Sequence, residues 1–147
     1  MFKYKIKRPP SMPVPLGKPI DNSPREVLSG YVYGMKASDI EERFARALSK
    51  NRRIDKFEFR VPVIQGRGLS GFLEVDFIVV AQGRMHPLQI DGEYSHKNTS
   101  KKMDDLQRDI LVNEFLRRYN AMPVKRINGR ELDDQDMANL AVKELFG

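Results

Sequence analysis

The sequence contains no cysteine and no tryptophan, and only 2 of its 147 residues are histidine. Without cysteine, the chain has no disulfide framework and no thiolate-bound zinc site. No apolar run approaches the roughly 20 residues that cross a bilayer, and prolines interrupt the basic N-terminus where a secretion signal needs an apolar stretch. These absences predict a cytoplasmic protein that has no membrane segment.

The composition is that of a folded protein, with 40% hydrophobic and 31% charged residues. A length of 147 residues suits one domain with a real core. Residues 1–36 carry seven basic side chains, two acidic side chains and six prolines. Because proline removes backbone donors and disfavours helix, we expect a basic, Pro-rich extended arm over residues 1–36. A single domain is expected over residues 37–147.

The positive charge of the arm indicates a polyanionic partner, most often a nucleic acid. We therefore regard the basic side chains nearest the N-terminus as candidate nucleic-acid contacts: Lys3, Lys5, Lys7 and Arg8. The alternative is a solvated tail that improves solubility. Charge alone does not decide between the two.

The periodicity of residues 37–147 predicts the element order α-β-β-β-α-β-α. The stretch SDIE at 38–41 is a capping box that opens the first helix, and KFEFRVPV, FLEVDFIVVA and MHPLQID read as a meander of three strands. A long helix over 99–119, a short strand PVKRI and a closing helix over 133–146 follow. The pattern predicts an α/β fold with a mixed four-stranded sheet between helices. The expected inward side chains are Met103, Leu106, Ile110 and Leu116 on the long helix and Met137, Leu140, Ala141 and Leu145 on the closing helix.

An acidic residue, Asp76, interrupts the most hydrophobic strand. An unpaired carboxylate there costs several kcal/mol, so it needs a cation, a hydrogen-bond network or a place at the sheet rim. On the next strand Gln89 and Asp91 lie two residues apart and share a face. A tight hairpin brings both close to Asp76.

Glu41 can join these side chains from the first helix, since it lies at the edge of the apolar face of that helix. As the third helical residue of a capping box, Glu41 also has a purely structural explanation. The sequence leaves both interpretations open.

The pattern VDF … LQIDGEYSH … DLQRDILVNEF … VKRI resembles the PD-(D/E)XK nuclease superfamily, and in particular its very-short-patch-repair endonuclease branch. The matching positions are Asp91, Gly92 and His96 after the third strand, Asp105 and Arg108 on the helix, and Arg126 at the strand end. The resemblance spans roughly residues 37–146 and implies a restriction-endonuclease-like core.

The resemblance implies an endonuclease that depends on Mg²⁺, with Mn²⁺ as a substitute, and that acts on DNA. Asp76 would be the central metal ligand, Asp91 the second, and Glu41 a ligand directly or through water. His96 would transfer a proton, since its reference pKa lies near neutrality. Gln89 stands where the superfamily has an acid, and the customary lysine two positions after that acid is absent.

Four further basic residues are assigned to the nucleic acid. Lys97 or Lys101 would supply the missing positive charge, and Arg108 and Arg126 would lie near phosphate. RNA is compatible with the same residues, and the sequence identifies no interface between copies of the chain. The alternative from another class is a catalytically inactive nuclease fold that binds nucleic acid or serves assembly, which the neutral Gln89 favours.

Overall fold

The computed structural model describes residues 27–65, 72–92 and 99–147, and it describes residues 64, 65, 72 and 99–105 through their backbone only. In chain order the elements are β1 (Tyr31–Val32), β2 (Met35–Lys36), α1 (Asp39–Lys50), β3 (Ile54–Gln65), β4 (Phe72–Ala81), β5 (Arg84–Asp91), α2 (Thr99–Arg117), β6 (Lys125–Asn128), a 3₁₀ turn (Gly129–Leu132) and α3 (Gln135–Phe146). Within these ranges, no helix is long and apolar enough to cross a membrane.

The described strands β3 to β6 form a four-stranded sheet in the order β3-β4-β5-β6. Both the β3–β4 and β4–β5 pairs are antiparallel, and β6 joins β5 in parallel after the crossover through α2. From residue 39 onward, the elements follow the predicted order. The predicted α/β class with a mixed four-stranded sheet and flanking helices is therefore confirmed.

Two hydrophobic cores cover the two faces of this sheet. Helices α1 and α3 pack in the first core, whereas α2 packs in the second. From the helices, the first core receives Phe44, Ala45, Ala47, Leu48, Ala138, Ala141, Val142 and Phe146, and the second receives Val112 and Leu116. The result is three layers with the sheet in the middle.

The inward faces predicted for two helices are partly wrong. On α2, Leu106 is 62% exposed and Ile110 is 57% exposed, whereas Val112 and Leu116 are buried. On α3, Met137 and Leu140 are exposed, whereas Ala141 is buried and Leu145 packs against the first core, as predicted. Both helices carry apolar residues on more than one face, so the 3.6-residue period alone did not select the face that meets the sheet.

Residues 27–36 pack on the body of the domain, so the packed domain extends N-terminal to the predicted boundary at residue 37. Val32 and Met35, from the small β1–β2 hairpin, belong to the first core. The preceding turn covers the side of α1 that carries Glu42, a residue that is only 2% exposed. Residues 1–26 lie outside the described part of the chain.

Glu42 and Arg46 form a buried ion pair that joins this turn to α1. The Glu42 carboxylate accepts hydrogen bonds from the backbone N–H groups of Ser29 (2.9 Å) and Gly30 (2.7 Å), and from Arg46 Nη2 at 2.8 Å. Arg46 Nη2 also donates to the carbonyl of Val27 at 2.6 Å. Burial by itself raises the pKa of Glu42, but these donors outweigh burial and lower it below its ordinary value.

Glu42→Gln is expected to lower the free energy of unfolding by about 3 kcal/mol at pH 7, because it leaves the Arg46 charge buried without its partner. Since the pKa of Glu42 is lowered from 4.5 in the folded chain, its stabilisation is present above that pH and is lost as the pH falls. Urea denaturation followed by circular dichroism measures both effects. Glu144→Gln, an exposed change on α3, is the matched control. Equal stability of the two variants at pH 7 would contradict this role.

Candidate active site

The side chains of β3 and β4 switch from one hydrophobic core to the other at one point along the two strands. Arg60 has a φ of 51°, which is left-handed geometry in the middle of a strand. The register sets Arg60 across from Asp76, between the pairs Phe59–Phe77 and Val61–Val75. A left-handed residue breaks the regular alternation of side chains. The first core holds Phe57, Phe59, Phe77 and Val79, and the second core holds Val61, Val63, Leu73 and Val75.

The strands β4 and β5 part at the same level. Their ladder begins at a tight turn and ends at the pair Phe77–Leu88. From there β5 continues alongside β6 as far as Asp91, which pairs with Asn128, while β4 stays paired with β3. We call the opening between β4 and β5 beyond Phe77 and Leu88 the strand fork.

Side chains replace the missing backbone ladder in the strand fork. Gln89 Oε1 accepts a hydrogen bond from the N–H of Asp76 at 3.1 Å, and Gln89 Nε2 donates to the carbonyl of Glu74 at 3.0 Å. In return, Asp76 Oδ2 accepts from the N–H of Ile90 at 2.8 Å. These three bonds satisfy backbone groups that the separation of the strands would leave without partners.

The Asp76 carboxyl group is partly buried in the strand fork. Burial is the main cause that raises the pKa of Asp76 from 3.8 to about 6, and the charges of Glu41 and Glu74 raise it further. The hydrogen bond from Ile90 and the charge of Arg60 act in the opposite direction. Burial and repulsion therefore destabilise the charged form of Asp76, and a nearby cation would stabilise it.

Glu41 approaches Asp76 from the N-terminus of α1. Its Oε1 accepts from the N–H of Ser38 (2.9 Å) and from Ser38 Oγ (2.8 Å), which completes the predicted capping box. The side chain is only 13% exposed, and Oε1 lies 3.9 Å from Arg60 Nη2. Glu41 therefore caps the helix and also lies close enough to Asp76 to raise its pKa.

Asp76 and Glu41, which we call the acid pair, can offer oxygen atoms to a cation. Among the described residues, no donor contacts Asp76 Oδ1 or Glu41 Oε2, because the recorded bonds use the other oxygen of each carboxylate. Mg²⁺ typically binds one or two carboxylates and completes its shell with water and substrate phosphate. The acid pair fits that donor set.

Asp91 has a different partner from the acid pair. Its Oδ1 accepts from Arg126 Nη1 at 2.6 Å, and Arg126 also makes a two-pronged contact with Asp109 on α2, at 2.7 and 2.8 Å. Burial by itself lowers the pKa of Arg126, but these two carboxylates outweigh it and raise the pKa well above its ordinary value. Arg126 thus braces the end of β5 against α2.

Gly129 fixes the same strand end through close packing. A Cβ atom at this position would lie 2.9 Å from the carbonyl oxygen of Asp91 and 3.0 Å from the Ile40 side chain. Only glycine lets the 3₁₀ turn approach β5 this closely. The position of Asp91 is therefore set by backbone contact as well as by its ion pair.

The structure places the predicted site residues in four groups. Glu41, Asp76 and Gln89 meet at the strand fork, whereas Asp91 pairs with Arg126, and no group of three His, Cys, Asp or Glu side chains in the described ranges can hold a metal ion. Arg108 is exposed on α2, and Lys101 is described through its backbone only. The remaining predicted residues lie outside the described part of the chain: Lys3, Lys5, Lys7, Arg8, His96 and Lys97.

The sequence interpretation missed Arg60, Asp109 and the bridging role of Gln89. Arg60 reads as a solvent-facing residue of an alternating strand, and nothing in the alternation signals its left-handed backbone. Asp109 follows Arg108 on a helix for which the period selected the wrong inward residues in Leu106 and Ile110. No spacing in the sequence links Asp109 to Arg126, which lies 17 residues further along the chain.

Comparison with protein-family models, with curated proteins and with solved structures finds no match in any of the three. A functional proposal for this chain therefore depends on the geometry of its own residues.

Asp76→Asn is expected to stabilise the fold by roughly 2–3 kcal/mol at pH 8. Since the folded pKa of about 6 lies above the ordinary 3.8, the folded chain binds this proton more tightly than the unfolded chain. Stability therefore falls as the pH rises between those two values and then levels off. The amide oxygen of asparagine still accepts from Ile90, and the gain should disappear near pH 3.5. Thermal unfolding across this pH range tests the expectation, and a variant less stable than the parent at pH 8 would contradict it.

Gln89→Glu is expected to destabilise the fold by about 1–2 kcal/mol. A carboxylate can still accept from the N–H of Asp76, but its second oxygen would face the carbonyl of Glu74 where Nε2 now donates. Gln89→Met, which removes both bonds without adding charge, separates this repulsion from the loss of the bridge. Denaturant titration at pH 8 should rank the glutamate variant below the methionine variant. The reverse order would show that the amide does not require its present orientation.

Proposed function

We propose that the chain is a divalent-metal-dependent endonuclease that hydrolyses phosphodiester bonds, and that it acts on DNA. The observation that carries this proposal is the acid pair at the strand fork. Two carboxylates from different elements repel each other there, and each keeps one oxygen that no described donor contacts. The order of these elements supports a restriction-endonuclease-like core of the PD-(D/E)XK type.

Mg²⁺, or Mn²⁺ in its place, is the cofactor that this donor set fits best, because hard divalent cations prefer oxygen ligands. When bound, the ion supplies charge stabilisation to the phosphate and lowers the pKa of water to generate a nucleophile. Asp76 and Glu41 hold it. Asp91, predicted as the second ligand, instead shares its charge with Arg126 in this proposal.

The remaining residues of the strand fork orient the acid pair. The Ile90 N–H fixes one oxygen of Asp76, and Gln89 holds the backbone of β4 at the Asp76 N–H and at the Glu74 carbonyl. In the reaction, water attacks phosphorus, the bond from phosphorus to the leaving oxygen breaks, and the leaving oxygen takes up a proton. His96, which follows β5, is the proposed proton carrier on the basis of its sequence position.

The substrate assignment to DNA is supported by charge. The chain carries a net charge of +6, and the basic arm, Lys97, Lys101 and Arg108 are the proposed phosphate contacts outside the acid pair. Such contacts to phosphate fix the position of a protein on its nucleic acid and weaken steeply with salt. RNA is the other substrate that the same contacts admit.

One observation favours a second candidate, a nuclease fold that binds nucleic acid without cutting it. Gln89 is neutral and Asp91 is paired with Arg126, so only two acids remain to hold a metal. In this alternative, the acid pair would be a vestige of a larger ligand set.

Incubation of supercoiled plasmid with the protein separates the two candidates. We expect cleavage with Mg²⁺ or Mn²⁺ and none with EDTA. Asp76→Asn should lower the rate by about a hundredfold or more, because it removes the anionic ligand while preserving the acceptor for Ile90. Retarded but uncut plasmid under all metal conditions would contradict the enzyme and favour the binding fold.

Glu41→Gln is the decisive companion variant, because glutamine serves equally well at the third position of a capping box. Because it also removes the repulsion with Asp76, it should unfold at a temperature no lower than that of the parent and yet cleave far more slowly. Glu41→Ala, which loses the cap as well, should be both less stable and inactive. Full activity of Glu41→Gln would remove Glu41 from the metal site.

A further inference from the structure

Arg60 adopts a backbone conformation that arginine does not favour. Its φ of 51° lies in the left-handed region, where a Cβ atom clashes and only glycine is at ease. The exchange of faces between β3 and β4 needs this geometry, but a glycine would provide it without strain. The presence of arginine at this position therefore calls for a role of its side chain.

The guanidinium group of Arg60 lies beside the acid pair but does not form a hydrogen bond with Glu41. Its Cζ lies over the Phe59 ring at 5.4 Å from the ring centroid, and Nη2 lies 3.9 Å from Glu41 Oε1. That separation is too long for a hydrogen bond. No hydrogen bond from Arg60 to another described residue is recorded, and the side chain is 42% exposed.

We propose that Arg60 is a catalytic residue that binds a non-bridging oxygen of the scissile phosphate. A planar guanidinium presents paired N–H donors that match phosphate geometry, and stacking on Phe59 orients those donors beside the acid pair. Arg60 would thus supply, from β3, the positive charge that the Gln89-x-Asp91 strand end does not carry. This inference rests on the proposed function, since it assigns a role within the same site.

Neutralisation of the acid pair alone does not account for these features. An arginine serving only that purpose would form short bonds with Glu41 or Asp76, as Arg126 does with Asp91 and Asp109. Arg60 instead keeps a side chain that is 42% exposed and lies 3.9 Å from Glu41, with no hydrogen bond to another described residue. An incoming phosphate carries the negative charge that such donors bind.

Arg60→Gly is the central variant, because glycine relieves the backbone strain while removing the guanidinium. We expect its melting temperature to equal or exceed that of the parent. Its single-turnover rate of plasmid cleavage with saturating Mg²⁺ should fall by about a hundredfold or more, as for the loss of one oxyanion donor. Arg60→Lys, which keeps the charge but not the paired donors, should recover part of the rate. Arg52→Ala, an exposed arginine beyond the far end of α1, is the charge-matched control and should cleave normally.

Binding of a short DNA duplex in EDTA gives a readout that does not depend on cleavage. Loss of one phosphate contact should reduce the slope of log affinity against log salt by about one in Arg60→Gly. Arg52→Ala should leave the slope unchanged.

The two readouts distinguish failure of this inference from failure of the proposed function. If the parent cleaves DNA and Arg60→Gly, folded and metal-dependent, cleaves at nearly the same rate, Arg60 does not bind the scissile phosphate and the nuclease proposal stands. If the parent binds DNA without cleaving, the nuclease proposal fails and a reduced slope still supports the phosphate contact of Arg60. An unchanged slope, or a parent that binds no DNA, overturns the inference.

Discussion

Backbone hydrogen bonding at the strand fork is the constraint on which the site depends. β5 parts from β4 beyond the pair Phe77–Leu88 while its other edge stays paired with β6, and this separation deprives several backbone groups of their ladder partners. Buried N–H and C=O groups without partners are costly, so side chains have to take their place. Gln89 and Asp76 do so, and in this way a carboxylate enters an otherwise hydrophobic strand, where no described donor contacts its second oxygen.

The carboxylates on the two sides of the strand fork differ in whether a short ion pair neutralises them. On one side Arg126 satisfies Asp91 and Asp109 through short bonds and braces β5 against α2. On the other side, the positively charged group described beside the acid pair is the guanidinium of Arg60, 3.9 Å from Glu41, and the pKa of Asp76 is raised to about 6. Such repulsion and such backbone strain cost stability, and we propose that a cation and an anionic ligand complete the site and offset this cost.

The sequence predicted the element order well because alternating strands and a capping box are local signals that involve few competing alternatives. It singled out Asp76 because a carboxylate in an apolar strand demands an explanation, but it did not predict the ion pair that Asp91 forms with Arg126. Helix faces were harder: Leu106 and Ile110 are apolar yet exposed, whereas Leu116 is buried as predicted and Val112 is buried although the period did not select it. Glu42 and Arg60 could not be predicted, because the turn at residues 27–30 that buries Glu42 and the left-handed backbone of Arg60 are tertiary features that no period reveals.

The most direct test of the account is to locate a bound divalent ion, whatever the activity of the protein proves to be. Substoichiometric Mn²⁺ added to the ¹⁵N-labelled protein broadens the amide signals nearest to the bound ion. The account predicts saturable broadening centred on Glu41, Asp76 and Ile90, which Mg²⁺ reverses by competition and which Asp76→Asn abolishes. The amide of Arg52, beyond the other end of α1, should remain sharp. Broadening centred elsewhere, or none that saturates, would contradict the claim that the acid pair holds a metal ion.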